Sequence, residues 1–500
     1  MDTSRRMDIK ARKGSRGRHA ILRATVWAAL GAGVLWAGLA RAQEGTLSQQ
    51  ATALVQEFRV SISGAKVGIA AVDVRTGQMI LDVDAATPLV PASNQKLLTS
   101  AFAMAWLGKD FHFTTTVWRL GDDILVSGDG DPTLGDPVIA AEEGKTVYTE
   151  LDRWAAEIKS KVGGRIAGDL VLCSTIPWPA YRHGDWPQAQ WTRWYAAPVA
   201  GLNFNNNCFD ITFAVADGQA MASVQPASRF IKITNQVKLG KKQTWSGRST
   251  EDESALILTG EVARGGNDPV SVACNNPPML LGRVLADRLA LGGVELGGTI
   301  RTAEYASVDW SKAQEITQTT TPLAVALQRA NKRSLNMAAE CLFLRAGNGT
   351  WPTSAALLIQ TLHDAYGLDT AGLVVRDGGG LSRGNQVSPA LMANLLAAVL
   401  RRPDADIFVD SLPVSGADGT MQRRLENPPY KRRVLGKTGY IAGVSALSGY
   451  VLDEAGKPAI AFSILVNGTP SSQKAHEVQD AVCRMLVDSL GAPTNPKPLP

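Results

Sequence analysis

Pro91-Ala-Ser-Asn-Gln-Lys96 is followed at once by an apolar repeat at helical spacing: Leu97, Leu98, Ala101, Phe102, Ala105 and Trp106. The pattern predicts a buried or amphipathic helix beginning near Ser93, with Pro91 in or just before its first turn. Ser93 and Lys96 lie three residues apart and share one face. A serine hydroxyl is a weak nucleophile until a base sits beside it. A lysine serves as that base when burial or neighbouring cations lower its pKa. The N–H groups and positive dipole end of a helix N-terminus suit a developing oxyanion. The Ser-x-x-Lys spacing alone means little, because Ser63/Lys66 and Ser471/Lys474 also have it. For a single copy the ordinary reading is a solvated helix face. Ser93 differs in the helix that follows it and in two motifs downstream.

The chain has 500 residues, 45% hydrophobic and 19% charged, which describes a globular protein of two to four domains. Its net charge of +5 is unevenly spread. Residues 1–42 carry nine Lys/Arg and two Asp/Glu, leaving −2 on the remainder. This segment reads as a secretory signal peptide. A basic part from Arg5 to Arg23 precedes an apolar run over 24–40, and Ala40-Arg41-Ala42 has the small-x-small cleavage pattern. The competing reading is an uncleaved anchor, the run being long for a signal and short for a span. Arg5-Arg6 leaves twin-arginine export open. The expected mature protein is mildly acidic and periplasmic, with no integral membrane anchor after signal cleavage. Without a basic patch, no nucleic-acid partner is expected. Cys208 and Cys274 flank a strand-rich segment that a disulfide could staple in an exported protein. Cys341 sits in an apolar helical run and reads as a buried thiol. No Cys or His grouping has zinc-ligand spacing, so no metal and no other cofactor is expected.

Along the chain, residues 66–84 read as a hairpin, with strands at 67–72 and 79–83 around Arg75-Thr-Gly77. From 112 to 200 the pattern is mixed. The acidic Gly128-Asp-Gly-Asp-Pro132 lacks calcium-loop spacing and reads as a turn. Residues 205–275 predict a small all-β insert remote from the chemistry, with strands at 209–215, 222–224, 230–233 and 255–258. Helices follow at 279–291, from Pro322 through Leu342, at 354–366 and at 388–401. Strands return at 433–440, 445–452 and 459–466, before a last helix over 474–489. Sheet segments at both ends with helices between them imply one α/β domain whose ends pair in a single sheet. Further domains are then inserted after the Ser93 helix.

Ser334-Leu-Asn336 and Lys437-Thr-Gly439 each occur once. The order Ser-x-x-Lys, Ser-x-Asn, Lys-Thr-Gly, with the first opening a helix and the third on a strand, resembles the serine penicillin-recognising enzymes. Ser334 lies 241 residues beyond Ser93. That distance resembles the class C low-molecular-mass penicillin-binding proteins, the D-alanyl-D-alanine carboxypeptidase/endopeptidase family. Other segments are similar to that family: 128–134, Tyr195-Ala-Ala-Pro198, Asp377-Gly-Gly-Gly-Leu-Ser-Arg383, Leu412-Pro413 with Gly416-Ala-Asp-Gly-Thr420, and Ala446-Leu-Ser-Gly-Tyr450. The resemblance spans nearly all of residues 50–490. It implies an α/β, multidomain architecture: a penicillin-binding, transpeptidase-like domain (43–111 and 306–492) with two inserted mainly β domains (112–204 with 276–305, and 205–275). Departures are Leu335 where an acid is usual, Tyr440 where a small hydroxyl residue is usual, and Gly379 for a serine. Gln190 stands where the tryptophan-rich loop usually has an Asp for the substrate's side-chain amine.

The resemblance implies peptidoglycan stem peptides as substrates and β-lactam antibiotics as inhibitors. Ser93 is the expected acylating nucleophile and Lys96 its base. Ser334 relays a proton to the departing D-alanine, and Asn336 orients Lys96 or the substrate amide. Lys437 keeps Lys96 neutral and attracts the terminal carboxylate, which Thr438 helps to hold. Gly439 belongs to the same substrate-binding strand. The backbone N–H groups of Ser93 and Tyr440 form the oxyanion hole. Asp377 and Arg383 read equally well as turn residues. The rival readings are a β-lactamase-like hydrolase and a catalytically weak cell-wall-binding protein.

Overall fold

The computed structural model describes residues 46–62, 64–175 and 181–491. The expected signal segment and Ser63 lie outside the described residues. Lys66–Asp73 pairs antiparallel with Pro458–Asn467, so the two ends of the chain share one sheet, as the sequence predicts. The five strands run in the order Val434–Ile441, Val444–Leu452, Pro458–Asn467, Lys66–Asp73, Met79–Val83. The strand Val444–Leu452 is buried along its whole length. Its side chains alternate between two cores: Ala446 and Tyr450 enter one, Leu447 and Val451 the other. The first core holds the helices Gln95–Leu107, Leu323–Lys332, Asn336–Ala346, Trp351–Asp364 and Pro389–Val399. The second holds Leu47–Ser61 and Ser472–Ser489. Ser471 caps the latter, its hydroxyl accepting from the Lys474 N–H, so this Ser-x-x-Lys copy is a helix cap. Among the described residues no helix is long and apolar enough to cross a membrane.

A second five-stranded sheet runs Ile300–Glu304, Leu170–Ser174, Asp123–Gly128, His112–Leu120, Gln314–Pro322. Helices Thr149–Val162 and Pro277–Leu291 cover one of its faces. Gln314–Pro322 was expected in the catalytic domain from residue 306; it pairs instead with His112–Leu120. The long helical region predicted from Pro322 through Leu342 consists of two helices, Leu323–Lys332 and Asn336–Ala346. Ser334 has φ 57° and breaks them apart, presenting its hydroxyl at the junction. Small sheets fill 205–275, led by Cys208–Ala216 between Gln219–Gln225 and Gly266–Ala273, and one apolar core runs through both inserted regions. The strand expected at 230–233 is Lys232–Asn235.

Cys208 and Cys274 are buried free thiols, not a staple. Cys208 lies directly opposite Ala273, so Cys274 is one residue out of register and its side chain leaves the opposite face. The acidic loop after Gly128 is a joint between the two halves. Asp129 pairs with Arg345, Asp131 accepts from Thr321, and the buried Asp136 takes Arg329 at 2.7 Å. Those arginines belong to the two helices that flank Ser334.

Candidate active site

A short 3-10 turn, Ala92–Asn94, leads into the helix Gln95–Leu107. Every residue from Gln95 to Met104 is buried, so the helix forms the centre of its domain. Ala92 has φ 48°, and this tight turn delivers Ser93 to the cleft. Asn94 fastens the turn to the sheet, donating to the Lys437 carbonyl at 2.6 Å and accepting from Ser448 Oγ at 2.6 Å. A Cβ on Gly439 would stand 3.1 Å from the Ser93 nitrogen and 2.9 Å from the Pro91 oxygen. Glycine is therefore what lets the Lys-Thr-Gly strand lie against the Ser93 backbone.

Lys96 is fully buried, and its Nζ has three oxygen neighbours: Ser93 Oγ at 3.0 Å, Asn336 Oδ1 at 2.5 Å and the Gly379 carbonyl at 2.5 Å. Burial drives its ammonium down to about 7, against the upward pull of the Glu340 and Asp377 carboxylates. Lys437 is also fully buried, donating to Ser334 Oγ at 2.8 Å and the Thr438 carbonyl at 2.7 Å. Burial, then the Lys96 charge, holds Lys437 well below the ordinary lysine range. From the sequence, Lys437 is expected to keep Lys96 neutral; the largest influence lowering the Lys96 pKa is burial.

Ser93, Ser334, Asn336, Thr438, Tyr440 and Gln190 all line one cleft of about 730 Å³, with Lys96 and Lys437 beneath it. Thr438 Oγ1 donates to Thr420 at 2.8 Å. Tyr440 is 63% exposed at the rim. The wall carrying Gln190 is held from behind by the β insert. Ala273 N–H donates to the Thr192 carbonyl at 3.0 Å, and Arg182 donates to the Cys274 carbonyl at 2.6 Å. The insert thus touches the back of that wall, and none of residues 205–275 is among those lining the cleft.

Asp377 is a turn residue. Its carboxylate accepts from Gly380 N–H, Ser382 N–H, Asn385 and Trp186, and so shapes the loop that offers Gly379 to Lys96. Arg383 lines the cleft and donates to the Ala442 carbonyl. Sequence reasoning missed Asn94, Thr420, the Gly379 carbonyl and Glu340. Glu340 had a signal: it is the lone acid in an apolar helical run, four residues after Asn336. A backbone carbonyl has none.

Residues 47–488 match the D-Ala-D-Ala carboxypeptidase 3 (S13) family. A D-alanyl-D-alanine carboxypeptidase of Actinomadura sp. (strain R39) is 30% identical over 465 residues, covering 86% of this chain and 83% of the relative. The D-alanyl-D-alanine carboxypeptidase DacB of Haemophilus influenzae is 26% identical, covering 81% and 86%. The crystal structure of penicillin binding protein 4 (dacB) from Haemophilus influenzae superposes with a TM-score of 0.73 at 24% identity, over 88% of this chain and 99% of that one. The same protein complexed with a β-lactam superposes at 0.68. The chain belongs to the D-Ala-D-Ala carboxypeptidase 3 (S13) family and is a serine-type peptidase of peptidoglycan with a penicillin-binding, transpeptidase-like fold.

Proposed function

We propose that this D-alanyl-D-alanine carboxypeptidase/endopeptidase works through a Ser93 acyl-enzyme, with Lys96 as the base. The carrying observation is the surroundings of the Lys96 nitrogen. A neutral amine has two N–H donors and one lone pair. Asn336 Oδ1 and the Gly379 carbonyl can only accept, so they take the two N–H groups. The lone pair is left facing the Ser93 hydroxyl. Ser93 then attacks the carbonyl of the terminal D-alanyl-D-alanine bond, while the backbone N–H groups of Ser93 and Tyr440 receive the oxyanion.

Two buried ammonium groups side by side disfavour each other. A terminal carboxylate arriving beside Thr438 favours the charge on Lys437, which in turn favours the neutral base at Lys96. Ser334, in contact with Lys437, passes the proton to the departing D-alanine nitrogen. Water then hydrolyses the ester, and a β-lactam acylates the same serine. Gln190 offers a neutral amide where a cationic amine would seek a carboxylate, which weakens that selection. In the proposed layout the catalytic domain resumes at Leu323, since Gln314–Pro322 belongs to the inserted sheet. The basic and apolar character of residues 1–42 supports export to the periplasm.

The test is release of D-alanine from a stem pentapeptide by the purified protein, with penicillin turnover measured alongside. D-alanine release with stoichiometric, long-lived penicillin labelling is expected. Rapid penicillin turnover without D-alanine release would favour a β-lactamase, and neither activity a binding protein.

A further inference from the structure

Glu340 is fully buried on the helix Asn336–Ala346, in the run Asn336-Met-Ala-Ala-Glu-Cys-Leu-Phe-Leu344. Buried glutamates are rare unless their charge is satisfied. Among the described residues no cation forms an ion pair with this one. Its partners are three N–H donors: Gly379 at 2.6 Å, Gly378 at 3.1 Å and the Trp351 indole at 2.9 Å. A protonated carboxyl would find no acceptor among them. Burial, then the Asp377 charge, pushes the group's pKa up to about 8 against the pull of the three donors; three N–H donors with no acceptor among them favour the carboxylate form.

The two glycines Glu340 grips are the ones that aim the base. The Gly379 carbonyl accepts from Lys96, and the Gly378 carbonyl accepts from Thr99 on the Lys96 helix at 2.8 Å. A Cβ on Gly379 would stand 2.9 Å from Glu340 Oε1 and 3.3 Å from Asn336 Cβ, so its backbone is wedged between them. Asn336 and Glu340 are four residues apart on one helix face. Asn336 takes one N–H of Lys96 directly; Glu340 fixes the acceptor of the other. We propose that Glu340 is a positioning residue: by clamping the backbone of Gly378 and Gly379, it sets the Gly379 carbonyl that turns the Lys96 lone pair onto Ser93. The inference rests on the reading of Lys96 as the base.

The charged groups around the pair are few. Lys96 faces Glu340, Asp377 and Lys437, and Glu340 faces Asp377 and Lys96. Glu340 pulls the Lys96 pKa upward. Replacing it by Gln therefore lowers that pKa and also sets an NH₂ group against an N–H donor.

The test is the second-order rate of penicillin acylation against pH, for wild type, Lys96→Ala, Glu340→Gln and Trp351→Phe. Folded Glu340→Gln is expected to lose about ten- to a hundredfold in rate, the cost of a misplaced base. Its acid limb is expected to move to lower pH. Trp351→Phe keeps the charge and both glycine contacts, so a smaller loss with an unmoved limb is expected. A wild-type rate in Glu340→Gln, or a slower one with an unmoved limb, overturns the proposal. Should Glu340→Gln fail to fold, Glu340→Asp decides, because it keeps the charge and draws the carboxylate back from the two glycines: slower acylation sustains the clamp and an unchanged rate overturns it. Wild-type protein that is not acylated, or Lys96→Ala as fast as wild type, would instead overturn the reading of Lys96. A dead Lys96→Ala beside a wild-type Glu340→Gln removes only the role of Glu340.

Discussion

Asn336 donates its amide nitrogen to the Tyr195 carbonyl at 2.6 Å. A carbonyl only accepts, so this bond decides that the carboxamide oxygen, not its nitrogen, meets Lys96. The Tyr195 stretch, where the family resemblance includes Tyr195-Ala-Ala-Pro198, thus sets the amide face that Asn336 turns to Lys96. Asn336→Asp would set two oxygens against each other at Tyr195 and add a third carboxylate to Glu340 and Asp377 around Lys96. Acylation by penicillin is expected to slow, and its acid limb to move to higher pH. A profile coinciding with wild type would remove Asn336 from the control of Lys96.

The burial of Lys96 sets the sign of the pH dependence expected of acylation. Burial disfavours the Lys96 ammonium, so it releases its proton at about 7 instead of in the usual lysine range. A base must be unprotonated. The acylation rate is therefore expected to rise with pH through about 7 and to fall away below it. A limb near the free-lysine value of about 10.4 would show that Lys96 is not desolvated in solution.

Gly439→Ala tests the close approach of the strand to Ser93. The added methyl meets backbone atoms of Pro91 and Ser93, which cannot swing aside as a side chain can. Displacing Ser93 from the strand is expected to slow acylation about a hundredfold while the protein still folds. Near-normal labelling kinetics in a folded Gly439→Ala protein would argue against so tight a junction.

Much of this was legible in the sequence because chemistry had fixed residue types at fixed places. Ser93, Lys96, Ser334, Asn336 and Lys437 stand in short motifs, and the helix after Ser93 announces itself by its apolar repeat. The shared sheet followed from strand patterns at both ends. The break at Ser334 was hidden, since no Gly or Pro marks it and its left-handed backbone is imposed by tertiary packing. Gln314–Pro322 was missed because a Thr-rich, half-exposed strand lacks an apolar signature. The Gly379 carbonyl could not be read at all, because a backbone acceptor has no residue type. Cys208 and Cys274 misled because proximity in sequence pattern does not give register.

Gln190→Asp tests side-chain selection in the cleft. A carboxylate there would gain a charge-assisted contact to a cationic amine, about 1.5–3 kcal/mol, which is roughly tenfold or more in selectivity. The ratio of D-alanine release from stem peptides with free and acetylated third-residue amines is expected to rise by that order. An unmoved ratio would place the recognition of the amine elsewhere in the cleft.

The central claim is that Ser93 alone of the three Ser-x-x-Lys serines is the nucleophile. Intact-mass and peptide-mapping analysis after incubation with a labelled β-lactam tests it most directly. One adduct, mapping to Ser93 and absent from Ser93→Ala, is expected. An adduct on Ser471 or Ser63, or one that persists in Ser93→Ala, would contradict it.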